Sequence, residues 1–498
     1  MDKETLSNYG WITIVTLVLA VMLALATPFG SFVGNRVANI SKGFKDANDK
    51  KLSSGNIQNT ENQWNTKFDL GIDAENTGMY FADIKDAVDA VNSDNVTGSA
   101  SAENNAVLLA KSKSSGEYIV RLIGNVAQTE IVEFKKNCGI DLNGHTVTLT
   151  NTSLFKIGEN IKVTVTDSKQ GEGIHQSVDG TFSSNDFGTF TLSSKSQLIM
   201  QNVKMSTFST DETFLCSIGL PASAENSTVK ISNCKFKATD SGKMATPKEG
   251  NHGFSSGAYT ACLWSISTTG TIEVSNSSFQ SEGVIPRTLC LSGNVILKNV
   301  TATNKNTTEF KPHIFSQVLY LKNGNLTAEN CTFNYTAQYH IKPVCVYFAS
   351  KATGKLTNCN ATCISDCKTY PSSDFGNEAN YNCENGHFAY AYQIANTSEA
   401  ELIGCSGKVV ASNTQVSAIR VQNTGILTAT NCDFSSKVTS VAFPNQNREY
   451  TVFANGNGTS KMTIKNSKIS GYYGLYYTSN CTFTESGNTY NVTKKNYF

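Results

Sequence analysis

From about residue 118 onward, apolar and polar side chains alternate in short bursts that recur along the chain. STVKISNCKFKA (227–238), GTIEVSNSSFQS (270–281), GNVILKNVTATN (293–304), GNLTAENCTFNYT (324–336), GILTATNCDFSSK (425–437) and SKMTIKNSKISG (460–471) share one plan. Alternating apolar residues lead to an Asn, then a small residue, and often a Phe three places after the Asn. A period of two marks a strand with one buried face. In TIEVS, Ile272 and Val274 are expected inward and Glu273 outward. Asn276 then turns the chain, because Asn tolerates a left-handed backbone, and Phe279 faces inward again. The turning position is Asn at 202, 233, 276, 299, 330, 358, 431 and 466, with Gly404 in the same slot. Between the motifs lie further apolar strands, at 261–267, 287–293, 317–323, 343–349, 388–394 and 417–423.

Short strands recurring in every repeat predict coils stacked about 4.8 Å apart, an all-β parallel solenoid. The variable spacing of the Asn residues places longer loops on one side of the stack. No six-residue period is present, so the expected form is a right-handed parallel β-helix over residues 78–498. Within Met79–Ser93, Phe81, Ile84, Val88 and Val91 recur at three- and four-residue spacing, which predicts a short amphipathic helix capping the core. Residues 36–77 are polar without a sustained period and read as a linker.

Residues 1–35 differ from everything after them. Thr5 to Asn35 has no charged side chain, and Trp11 to Val33 is long enough to cross a bilayer. This segment is expected to be an N-terminal transmembrane anchor or a signal helix. Ala24-Leu25-Ala26 offers a small-x-small cleavage site. NYGWITIVTLVLAVMLALATPFGSF also resembles the hydrophobic N-terminal helices of pilin-like proteins of Gram-positive gut bacteria. Gly10 stands where that family has its Gly, while Val15 replaces the acidic residue five positions later. That resemblance implies self-assembly through the N-terminal helix.

Composition narrows the function classes. The 498 residues include 41 Lys or Arg and 40 Asp or Glu, a net charge of +1. Nucleic-acid binding driven by phosphate contacts needs a basic face, so no nucleic-acid partner is expected. Charged residues are 16% of the chain, and Ser, Thr and Asn supply much of its polarity. Of the 14 cysteines, Cys234, Cys331, Cys359 and Cys432 fill the slot after the turning Asn, where Ser277 and Val300 stand elsewhere. That interchange suggests a small inward slot in which Cys packs as a hydrophobe. Cys359, Cys363, Cys367 and Cys383 lack paired zinc spacing and interleaved His, so no metal and no cofactor are expected; one disulfide within this group is left open.

The stretch GEYIVRLIGNVAQTEIVEFKKNCGIDLNGHTVTLTN (116–151), leading into IKVTVTDSKQGEGI (161–174), resembles the first coils of the pectate-lyase-like superfold. The resemblance implies a right-handed parallel β-helix with a helical cap over about residues 80–490. Enzymes of that superfold cleave acidic polysaccharides. Their hydrolases carry N-T-D, D-D, G-H-G and R-I-K motifs, none of which occurs here. Asn251-His252-Gly253 matches the histidine motif only in part, and Ile285-Pro286-Arg287 matches part of a lyase motif without its second Arg. No catalytic residue is therefore assigned. The candidate binding residues are side chains expected to point outward from strands: Tyr320, Tyr390, Tyr392, Arg420 and Tyr476, of which Tyr390 and Tyr392 should share one side. Rings stacked along one face suit sugar rings. The expected protein is an exported, membrane-anchored surface adhesin or carbohydrate-binding stalk, anchored by its N-terminal helix or secreted after cleavage. The alternatives are a divergent polysaccharide lyase or hydrolase, and a pilin-like filament subunit.

Overall fold

The computed structural model describes residues 74–497 apart from 95, 152, 179–186, 211–213, 242–258, 308–314, 339–341, 367–387, 413–414, 440–448 and 456–457. Among these residues are 38 strands and one helix, Ile84–Asn92. The hydrophobic segment Trp11–Val33 and the linker to residue 73 lie outside the described residues. No helix among the described residues is long and apolar enough to cross a membrane.

The strands follow three ladders. The first runs through Lys162–Thr166, Gln197–Gln201, Thr228–Ser232 and Thr271–Ser275, and continues to Cys481–Ser486. The second runs through Gly173–Ser177, Lys204–Ser209, Lys235–Asp240 and Ser278–Gly283, and ends in Thr489–Tyr497. The third includes Leu215–Leu220, Tyr259–Ser265, Lys342–Phe348, Phe388–Ala395, Gln415–Gln422 and Tyr450–Asn455. All of these pairings are parallel. The chain visits first, second and third sheet in turn and returns one coil further on, so the fold is a parallel β-helix.

Stacking in register explains why the motif repeats. Val229, Ile272 and Val295 are successive inward residues of the first sheet, each at most 1% exposed. On the second sheet Phe236, Phe279, Ala302, Phe333, Ala361, Gly407 and Phe434 form one inward column. Large and small residues share that column: Phe236 and Phe279 stack with centroids 4.9 Å apart, and Ala302, Ala361 and Gly407 leave room for the rings beside them. Gly407 marks the tightest point. A Cβ there would meet Phe434 and Tyr392 ring carbons at 3.1 Å.

The corner between first and second sheets is the Asn turn. Asn202, Asn233, Asn276, Asn299, Asn330, Asn358, Asn431 and Asn466 all have φ between +48° and +58°. Asn299 Nδ2 donates to Asn276 Oδ1 at 2.9 Å, a rung of an amide ladder along the axis. Gly404 takes the same conformation at φ +61°. A Cβ there would lie 2.7 Å from Asn358 Oδ1, so the neighbouring amide occupies its space.

The slot after the turn has a more specific role than small and apolar. Cys234, Cys331, Cys359, Cys405 and Cys432 are at most 3% exposed. Each thiol donates to the carbonyl two residues earlier, for example Cys359 Sγ to Thr357 O at 3.4 Å. Ser277 and Ser467 make the same bond by hydroxyl, at 2.7 and 2.8 Å. Cys and Ser interchange because both donate to a carbonyl that already accepts the turning residue's amide from the preceding coil, as Thr357 O does from Asn330 N at 3.0 Å. The bond adds to a satisfied acceptor, and Val300 fills the slot without it. Cys359→Ser and Cys359→Val should therefore each leave stability within about 1 kcal/mol. Denaturant titration of the two variants checks this, and a loss above about 2 kcal/mol in Cys359→Val alone would show that the donor is required.

All twelve described cysteines are buried free thiols, including Cys359 and Cys363. Cys367 and Cys383 lie outside the described residues. Burial pushes the thiols of Cys138, Cys262 and Cys290 up to about 12, which keeps them protonated and unreactive.

The cap differs in extent from the helix expected over Met79–Ser93. Ala74–Phe81 is a strand that pairs antiparallel with Val107–Ser112, and the helix begins only at Ile84. Asp83 caps it by accepting from Asp86 N at 2.9 Å. Ile84, Ala87, Val88 and Val91 are buried against the first coils. The Ile140–Thr146 stretch works through its polar atoms. Asp141 accepts from the amides of Asn143 and Ser168 and ion-pairs with Arg121 at 3.4 Å, while Asn143 and Gly144 turn the chain with positive φ.

Candidate functional site

The third sheet has an unusual outer face. In a two-sided strand the outward positions should be solvated, yet Phe388–Ala395 and Gln415–Gln422 are buried on both sides along almost their whole length. Each coil also bends here. Two successive residues turn inward (Val318 and Leu319, Cys345 and Val346, Ala391 and Tyr392, Ala418 and Ile419), and the ladder pairing skips a position at each. Long connections between the described strands, 241–258, 367–387 and 439–449, all lead from a second-sheet strand to a third-sheet strand.

The bend decides where the candidate side chains go. Tyr390 lies outside the core and is fully buried. Two residues on, Tyr392 lies inside the core, edge-on to Phe434, with its hydroxyl donating to Ser406 O at 2.9 Å. The expectation that these two rings share one side is thus corrected, and Tyr392 is a packing residue that no ligand on the outer face touches. Tyr320 is outward between Leu319 and Leu321 as expected, and half-buried.

Outward positions of successive coils form one column: Trp264, Cys290, Tyr320, Tyr347, Gln393, Arg420, Phe453 and Tyr476. Tyr320 and Tyr347 have ring centroids 5.3 Å apart. Phe453 and Tyr476 stack at 5.1 Å, and Tyr450 lies 5.0 Å from Tyr476. Arg420 joins the two aromatic groups. Its guanidinium is 5.0 Å from the ring centroids of Phe388 and Tyr390 and 5.9 Å from that of Phe453, and Nη1 donates to Tyr390 Oη at 2.9 Å. Arg287 stands beside the column, 4.2 Å from the Tyr259 ring and 5.5 Å from that of Tyr320. Four of the five side chains singled out from sequence therefore lie on one face. Arg287, Tyr347, Phe388 and Phe453 complete it and were not singled out, because period two alone does not distinguish a covered outer face from a solvated one.

The electrostatics of the face are cationic. Arg420 is only 6% exposed and has no carboxylate partner among the described residues, and its Nε has no hydrogen-bond partner there. Ring faces return up to about 2 kcal/mol to a desolvated cation, while burying an unpaired ion costs several kcal/mol. Lys342, whose ammonium lies 5.5 Å from the Phe388 ring, has its pKa lowered by burial and then by the Arg420 charge. Burial pushes the Tyr320 phenol up to about 12 and raises that of Tyr347, so both hydroxyls stay protonated donors. Glu449 lies beside this face, but its two oxygens accept from Val438 N and Tyr472 N, so the carboxylate braces backbone. The described part of the face thus offers rings, cations and hydroxyl donors without a pair of free carboxylates.

The strand pairings define the chain as a parallel β-helix protein. No family model matches the sequence, and no curated protein matches it. Among solved structures, a crystal structure of the periplasmic alginate epimerase AlgG, determined as a double mutant, matches at 8% identity. The match covers 76% of this chain and 86% of that one, at a TM-score of 0.24. A likeness of that size carries no argument, and the fold assignment stands on the ladders.

Proposed function

We propose that this protein is an exported carbohydrate-binding β-helix, an adhesin or stalk whose third sheet holds a glycan against the Arg420 column. The observation that carries the reading is the Arg420 guanidinium, nearly buried among Phe388, Tyr390 and Phe453 with no carboxylate partner among the described residues. A ring platform beside a cation and phenolic donors suits the apolar faces and hydroxyls of sugars. The apolar stretch Trp11–Val33 serves as the membrane anchor in this reading, and the coil is right-handed, the hand that twisted parallel strands favour. The membrane and a surface glycan are the proposed partners.

The test is an array of polysaccharides probed with the full-length chain, with each sample also assayed for chain shortening and for new unsaturated ends. Binding without product is expected. Product formation would make the face an active site and replace this reading with a lyase or hydrolase.

A further inference from the structure

We propose that the second sheet carries a separate groove for a linear polymer bearing phosphate or sulfate groups, with Lys204 and Lys235 as its anchoring cations. The two lysines are register partners on successive coils. They stand in one outward column that continues through Ser278 and Thr301. In-register neighbours in a parallel ladder are about 5 Å apart, and like charges directly opposite destabilise a sheet.

Elsewhere the same fold avoids that cost. On the first sheet, Lys230 faces Glu273 at 3.0 Å, Lys298 faces Glu329 at 3.6 Å and Lys355 faces Glu401 at 2.9 Å, each across one register position. Further along the lysine column itself, Asp433 faces Lys468 at 3.7 Å. Complementary pairing is thus available at this position and is used at the other end. Lys204 and Lys235 are exposed, and neither has a carboxylate partner among the described residues.

The surroundings form a binding site. A groove of about 700 Å³ runs beside the pair, floored by the Asn202–Asn299 corner and edged by Ser278 and Thr301. It adjoins a second hollow of about 410 Å³ that contains His175 and Lys237. His175 Nδ1 is hydrogen-bonded to Ser206 Oγ at 2.5 Å. Two carboxylates are near: Glu172 borders this hollow, and Glu282 is held by Lys237 at 3.5 Å. Gly173, in register before Lys204, adds no side chain, so the groove is open at that end.

The donor set selects the ligand chemistry. Lysine is a point charge without the planar fork that matches a carboxylate, and amides and hydroxyls add single hydrogen bonds. Phosphate or sulfate groups repeated along a chain fit such a row, with charges following the stacking axis.

The experiment measures binding of the full-length protein to inorganic polyphosphate of defined length, to heparin and to polygalacturonate across a salt series. Binding to polyphosphate, to heparin or to both supports the proposal and identifies which oxyanion the groove takes. K204S/K235S should then weaken binding at least tenfold and reduce the slope of log K against log salt by about 1.5. The first-sheet control K230S/K355S should bind polyphosphate as the parent does. Four results would overturn the proposal: absence of binding, polygalacturonate bound as tightly and weakened as much by K204S/K235S, unchanged affinity in K204S/K235S, or an equal loss in K230S/K355S. The glycan face can fail its own array test while the lysine groove passes this one.

Discussion

Phe279→Ala will destabilise the coil that holds it by about 3–5 kcal/mol, the range for deleting a buried ring. Phe279 is 1% exposed and stacks on Phe236 with centroids 4.9 Å apart and planes only 3° from parallel. Its next neighbour in the column is Ala302, so no large side chain on that side can relax into the space. In a solenoid each coil touches mainly its neighbours, and the loss should be local. Hydrogen exchange should show faster opening at 228–240, 271–283 and 294–306, with distant coils near 427–437 unchanged. A uniform loss across the helix would mean that the coils unfold as one unit.

Asn299→Val should cost about 2–3 kcal/mol, from forcing a β-branched residue into a left-handed backbone and removing an amide rung. The native φ is +55°, and the amide donates to Asn276. Asn299→Gly separates the two contributions. Glycine adopts positive φ freely, so it should lose only the rung, about 1 kcal/mol. Chemical denaturation of the three proteins gives the comparison. Equal losses for Val and Gly would show that the hydrogen bond, rather than the backbone, governs the corner.

These two positions also explain what could be read from the sequence. The Asn corner was legible because one residue type answers one backbone requirement, coil after coil. The Phe three places later was legible because period two resumes after the turn. A second left-handed corner, between third and first sheets, was not. It is formed by Asn160, Asn226, Asn396 and Asn423, but also by Lys195 and Ser350, and no single letter marks it, although Asn423 Nδ2 donates to Asn396 Oδ1 at 2.9 Å just as at the first corner.

Tyr392 was misplaced for a related reason. Alternation assumes a straight strand, and the third-sheet strands turn two consecutive residues inward, which reverses the sides beyond the bend. At the cap, Phe81 fitted a helical spacing but belongs to a strand, where it pairs with Val107, and the helix begins only after Asp83 caps it. The binding face was legible residue by residue for Tyr320, Tyr390, Arg420 and Tyr476. Its continuity was not, since the register that aligns Tyr347, Arg420 and Phe453 depends on insert lengths that vary from coil to coil. The Lys204–Lys235 pair was hidden in the same way: the two lie 31 positions apart in sequence and meet only when coils stack.

That a glycan lies against the Arg420 column is tested most directly by calorimetric titration of a polysaccharide captured on the array. The full-length parent should be compared with Arg420→Met, which keeps the apolar stem and removes the cation, and with Tyr476→Ala at the half-buried end of the column. At least a tenfold weaker affinity is expected in both, with thermal unfolding of Tyr476→Ala close to that of the parent. Unchanged affinity in both variants would contradict it and move the binding surface away from the third sheet.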